Sequence, residues 1–120
     1  MKQFLLVFLG GGMGSALRYI ISKHLNTNLP YGTFTVNIIG CFIIGFLLTY
    51  VSKSNFLSQN HVLLLTAGFC SGFTTFSAFA FENSLFLKQG DTFYFILYTL
   101  CSLIIGILAV FAGIWIAKVL

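Results

Sequence analysis

Charge is what this sequence has least of. Six basic and two acidic residues make up 7% of 120 positions, against about a quarter in an ordinary soluble domain. So few charges cannot cover a water-facing surface. With 58% hydrophobic residues, the composition specifies an integral membrane protein. The two acids are Glu82 and Asp91, and the two histidines are His24 and His61. No Ser/His/Asp or metal-assisted constellation can be drawn from them, which excludes an enzyme. The three cysteines, Cys41, Cys70 and Cys101, all fall in apolar runs without metal-ligand spacing, so they read as small buried side chains. The basic residues Lys2, Arg18, Lys23, Lys53, Lys88 and Lys118 stand singly along the chain. A net charge of +4 spread in this way builds no basic face, and nucleic acid is excluded as a partner.

What the sequence does have is long apolar runs. The polar breaks KHLNTNLP, SKSNFLSQN and KQGD divide it into spans at about 4–21, 31–51, 61–87 and 92–117 of a single domain, 1–120. Pro30, the one proline, suits a helix start. The opening MKQFLLVFLGGGMGSA has the look of a signal peptide. The apolar pattern runs on to Ile21, however, so it is read as a retained span. Each run reaches the ~20 residues a helix needs to cross the hydrocarbon. Helices are expected because lipid offers no partner to loose backbone groups, and the alternation of barrel strands is missing. Lys2, Lys53 and Lys118 fall on one side of such a bundle and Arg18, Lys23 and Lys88 on the other. That balance gives the positive-inside rule nothing to act on. Unless lipid or an assembly factor supplies a bias, the chain is predicted to insert both ways up, which permits an antiparallel homodimer.

Polar groups at membrane depth carry the functional signal. GGGMGS (Gly10 to Ser15) fails as a dinucleotide fingerprint, since Ser15 takes the third glycine position and no strand precedes it. Gly10 and Gly14, like Gly68 and Gly72, instead form small-xxx-small pairs that let helices approach closely. Arg18 and Glu82 are the charges set well inside spans. They read either as an ion pair or, for Arg18, as an electropositive mouth that gathers anions. Thr33 and Asn37 are one turn apart, and Tyr94, Tyr98 and Ser102 follow at steps of four, then Gly106. The stripe is either interhelical hydrogen bonding, worth ~0.6 kcal/mol each, or a ladder of donors along a path. GFCSGFTTFSAFAFE (Gly68 to Glu82) holds two glycines and consecutive hydroxyl residues, which favour a break in the third span. Carbonyls freed there can hold a cation. Phe76 and Phe79 share a face of the resumed helix, and their electropositive ring edges can support a partly dehydrated anion.

GGGMGSALRY, YGTFTVNIIGCFIIG and GFCSGFTTFSAFAFE resemble the signature segments of the Fluc fluoride channels, also called the CrcB family. The resemblance covers nearly the whole chain. It implies an all-α membrane protein of four transmembrane helices, the third broken near its middle, assembled as an antiparallel dual-topology homodimer with two pores. The implied activity is passive, selective export of fluoride across the bacterial cytoplasmic membrane, which relieves fluoride toxicity. By motif, the pore residues would be Phe76, Phe79, Asn37, Ser77, Thr33, Tyr98 and Ser102. Arg18 would stand at the mouth and Glu82 as the third-span acid. A structural sodium ion would be held by backbone carbonyls of Ser71 and Thr74 from both subunits. Ser71 departs from a common glycine, Ala78 from a common threonine and Gly106 from a frequent serine. The alternative is a small proton-coupled four-helix exporter. It needs a carboxylate in the first span, and there is none.

Overall fold

Apolar runs bounded by lysines fold as helices that end where the lysines stand. The structure, a computed structural model, describes Met1–Leu120. Helix α1 is Lys2–Leu25 and α2 Tyr31–Lys53. The third span comprises α3 Gln59–Leu63, a π-helical segment Leu64–Cys70, α4 Ser71–Phe73 and α5 Phe76–Lys88. The fourth, α6, is Thr92–Val119. The four spans are long and apolar enough to cross a membrane. The starts of α2 and α6 fall at the predicted residues, and the other ends lie one to four residues beyond the predicted ones because polar residues flanking the apolar runs also complete helical turns. Lys23, Lys53, Lys88 and Lys118 all sit in last turns, where a cation meets the negative end of the helix dipole. Lys53 also reaches across, its Nζ donating to the carbonyls of Ala117 and Lys118 at 3.1 and 2.8 Å, which closes the end of α6. After α5 the chain turns at Gly90, whose φ of 78° suits glycine.

Only 16 of 120 residues are buried, and half of those are glycines. The bundle is therefore held by backbone contact more than by interlocking side chains. Two helix pairs dominate: α2 lies along α6, and α1 lies against the π-helical segment and α4. On the first seam a Cβ at Gly113 would come within 2.8 Å of Phe46 N. Gly106, on the same helix, is different. A Cβ there would meet Cys41 Sγ at 3.6 Å and Ile38 Cδ1 at 3.8 Å, ordinary contacts. Gly106→Ser should therefore keep the yield and the thermal unfolding midpoint of the parent. Gly113→Ser should lower the midpoint steeply, since overpacking against backbone costs about 1–3 kcal/mol or more. Thermal unfolding of the two purified variants decides, and equal midpoints would contradict this packing.

The third span breaks at Thr74 and Thr75. Both are extended, with ψ of 159° and 122°. Their own hydroxyls stabilise the break: Thr74 Oγ1 donates to Cys70 O at 3.0 Å, and Thr75 Oγ1 caps α5 by accepting from Ala78 N at 3.1 Å. The π-helical turn just before it has the same kind of support. Thr66 Oγ1 donates to Val62 O at 2.7 Å, and Ser71 Oγ to Thr66 O at 3.4 Å. Side-chain bonds of this kind compete with the helical ladder. Here they hold two departures from it within a few residues of one another.

Candidate functional site

Breaking a helix frees backbone groups, and each must find a partner. At this break the partners come from two distant spans. Asn37 on α2 grips Thr75 on both sides: Oδ1 accepts from Thr75 N at 2.7 Å and Nδ2 donates to Thr75 O at 3.1 Å. One N–H of the Asn37 amide is left over. On the α1 side, Gly72 O accepts from Ser15 Oγ at 3.3 Å and from Arg18 Nε at 3.0 Å. The carbonyls of Ser71 and Thr74 accept nothing from the chain.

Around the break lies a hollow of about 360 Å³ bordered by Asn37, Ser71, Thr74, Phe76, Phe79 and Ser102. Phe76 is 79% exposed and Phe79 half-buried. Their ring centroids are 5.8 Å apart at 44°, and Phe79 continues to Tyr98 at 5.0 Å and 56°. Tilted rings of this kind direct edges as well as faces at what lies between them. Ser102 Oγ is buried without a hydrogen-bond partner, an unusual condition for a polar atom in a native protein. No charged side chain borders the hollow.

Beyond Phe79 stands a compact polar cluster. Glu82 accepts from Thr33 Oγ1 at 2.6 Å through one carboxylate oxygen and from Tyr98 Oη at 2.8 Å through the other. Thr33 and Tyr98 are both buried. The sequence set Glu82 against Arg18 as one possible pairing, and the fold does not bring them together. Glu82 faces α2 and α6, whereas Arg18 lies against the end of α4, and α1 makes no close approach to α5. Tyr94, at the end of the predicted stripe, stacks on Phe86 at 6.0 Å, outside the hollow.

A family profile described as CrcB-like protein, Camphor Resistance (CrcB), matches residues 5–114. The chain belongs to the CrcB family. Relatives in that family agree along nearly their full lengths. A protein of Gloeothece citriformis is 47% identical over 98% of this chain and 98% of its own, and one of Phocaeicola vulgatus is 45% identical over 98% and 100%. One of Flavobacterium psychrophilum is 41% identical over 98% of both. All three are named fluoride-specific ion channel FluC.

In this CrcB chain the residues named from sequence fall into three groups. Phe76, Phe79, Asn37 and Ser102 share the hollow, with Ser77 exposed beside it, 3.2 Å from Thr75 Oγ1. Thr33, Glu82 and Tyr98 form the cluster above it. Ser71, Thr74 and Arg18 gather at the break itself. Sequence reasoning missed two participants. Ser15 enters the sequence reading only as the residue that defeats a dinucleotide fingerprint, and Asn26 only as part of a polar loop. Asn26 Oδ1 accepts from Gly32 N at 2.7 Å and Thr33 N at 3.2 Å, and its Nδ2 donates to Thr33 Oγ1 at 3.2 Å. An asparagine ahead of a helix start is a capping signal, but here it acts from six residues upstream, outside the usual spacing.

Proposed function

We propose that two copies of this chain, inserted in opposite orientations, form a passive and selective channel that lets cytoplasmic fluoride leave the cell. The observation that carries the reading is the uncharged hollow at the helix break. There a partnerless hydroxyl (Ser102), a spare amide N–H (Asn37) and the edges of Phe76 and Phe79 converge. Relatives at 41–47% identity carry the matching name.

Fluoride is small and holds water tightly, so a path for it must offer replacement donors at every step. A lining of neutral dipoles does this without the deep trap a fixed positive charge would create, and ions must leave as well as enter. A narrow lining of fixed rings misfits the larger chloride. Arg18, half-exposed beside the break, attracts anions without standing in the bore. Above the hollow, the protons of Thr33 and Tyr98 are committed to Glu82. An arriving fluoride competes with the carboxylate for those two protons, which makes the cluster an exchange point. An inside-negative potential, worth ~2.3 kcal/mol per charge per 100 mV, drives the anion outward.

Several polar groups support the paired arrangement. The carbonyls of Ser71 and Thr74 lie at membrane depth with no donor in the chain, beside the exposed Ser71 side chain. In hydrocarbon each such group costs several kcal/mol, so a second copy covering this face relieves it. Carbonyl oxygens without donors also suit a sodium ion, a hard cation that takes oxygen ligands. Ser71 and Thr74 of both copies would hold it, and it would supply positive charge that fastens the two broken helices together.

The test is efflux from liposomes. Purified protein should release fluoride rapidly and chloride not measurably, at a rate unchanged when a proton gradient is imposed or collapsed. Dependence on the proton gradient would favour a proton-coupled exporter. Absence of fluoride release would defeat the channel.

A further inference from the structure

Asn26 lies outside the hollow, yet its bonds set the direction of the Thr33 proton in the cluster above it. A backbone N–H can only donate. The atom of the Asn26 amide that faces the N–H groups of Gly32 and Thr33, at 2.7 and 3.2 Å, is therefore the oxygen. The atom facing Thr33 Oγ1 at 3.2 Å is then the nitrogen, which donates. A hydroxyl that already accepts from that side has its one proton free for the other, where Glu82 Oε2 lies 2.6 Å away. The opposite carboxylate oxygen receives the proton of Tyr98. The order runs from the start of α2 through Asn26, Thr33 and Glu82 to Tyr98, whose ring packs against Phe79.

From this geometry we infer that Asn26 is a positioning residue for anion passage. Its amide holds the Thr33 hydroxyl as a donor toward the site where fluoride displaces the Glu82 carboxylate. The inference rests on the channel reading. It assigns Asn26 two separable duties. Its oxygen caps α2, and its nitrogen orients Thr33. Where an acceptor oxygen replaces the nitrogen, the Thr33 proton has a second acceptor on the side away from Glu82 and can turn from the path, so that an arriving anion meets a lone pair in place of a donor.

Asn26→Asp separates the duties, because it keeps the capping oxygen and removes the donor. It also adds a negative charge near the path. Gln89→Glu controls for that: Gln89 borders a second hollow, of about 300 Å³, together with Asn26 and Glu82, and its side chain is exposed. Fluoride efflux from liposomes and thermal unfolding of the detergent-purified protein are measured for each variant. Asn26→Asp should retain the parent's unfolding midpoint while efflux falls ~10-fold, as expected when one oriented donor is lost at the barrier. Gln89→Glu should change efflux by less than about twofold, the effect of a screened charge at a mouth. In a Thr33→Val background, Asn26→Asp should produce no further loss, whereas a purely structural role would repeat the same factor. Parental efflux in Asn26→Asp would overturn the inference. So would equal losses in Asn26→Asp and Gln89→Glu, a full further loss on top of Thr33→Val, or failure of Asn26→Asp to fold. A parent that releases no fluoride would instead sink the channel reading, so the two failures are distinguishable.

Discussion

Phe79→Ile is expected to leave the protein folded and reduce fluoride efflux at least ~100-fold, equivalent to about 3 kcal/mol added to the barrier. Isoleucine keeps the position apolar and fills most of the volume, so the packing loss stays within the range typical of large-to-small core changes. What it removes is the ring edge. Phe79 stands between Phe76 and Tyr98, with centroids at 5.8 and 5.0 Å, and borders the hollow with Asn37 and Ser102. An aliphatic side chain has no positive rim to offer a dehydrated anion. At that step the lining would fall silent, and fluoride would have to give up water without compensation. Phe81→Ile supplies the comparison. Phe81 is 64% exposed, borders neither the hollow nor the Glu82 cluster, and should conduct like the parent. Efflux assays on both variants, with monodispersity confirmed in detergent, decide the matter. Parental efflux in Phe79→Ile would leave the rings as bulk and remove the main support for a ring-lined path.

The spans were legible because lipid imposes one rule on every backbone group, and the lysines that end the helices are printed in the chain. The break was legible for a similar reason: Gly68, Gly72 and the Thr74–Thr75 pair all weaken a helix locally, and the extended backbone falls on those threonines. Partner choice across the bundle was not legible. The spacing of Thr33 and Asn37 placed both on one face of α2. It did not show that Asn37 takes the backbone of Thr75 while Thr33 takes the carboxylate of Glu82. Nor could a charge count show that Arg18 binds the Gly72 carbonyl in place of the only other deep charge. Those choices depend on how far each helix slides against its neighbour, by fractions of a turn, and slide is set by contacts between residues far apart in sequence. The π-helical turn at Leu64–Cys70 shifts the phase of everything after it, which periodicity read along an ideal helix cannot follow. Asn26 was hidden for the same reason, since its role exists only once the first loop folds back over the start of α2.

That slide is itself testable at two glycines one half-turn apart. Gly14→Ala should abolish recovery of folded protein, while Gly12→Ala should be silent or stabilising. At Gly14 a Cβ would collide with the carbonyl oxygen of Phe69 and come within 2.8 Å of Phe73 N. Both are backbone atoms of the π-helical segment and α4, and neither can turn aside as a side chain would. Relief requires α1 to move off the third span. That motion would separate Ser15 and Arg18 from the Gly72 carbonyl they satisfy, 3.3 and 3.0 Å away. Overpacking alone costs about 1–3 kcal/mol, and each orphaned buried hydrogen bond adds about 1–3 kcal/mol. Together these reach the whole stability of many small proteins. At Gly12 a Cβ would meet nothing within 4 Å, and alanine favours a helix over glycine by about 1 kcal/mol. Expression in parallel, followed by gel filtration and thermal unfolding in detergent, measures the contrast. Equal behaviour of the two variants would mean that α1 does not rest backbone-to-backbone on the broken span. In that case nothing would hold Arg18 beside the break.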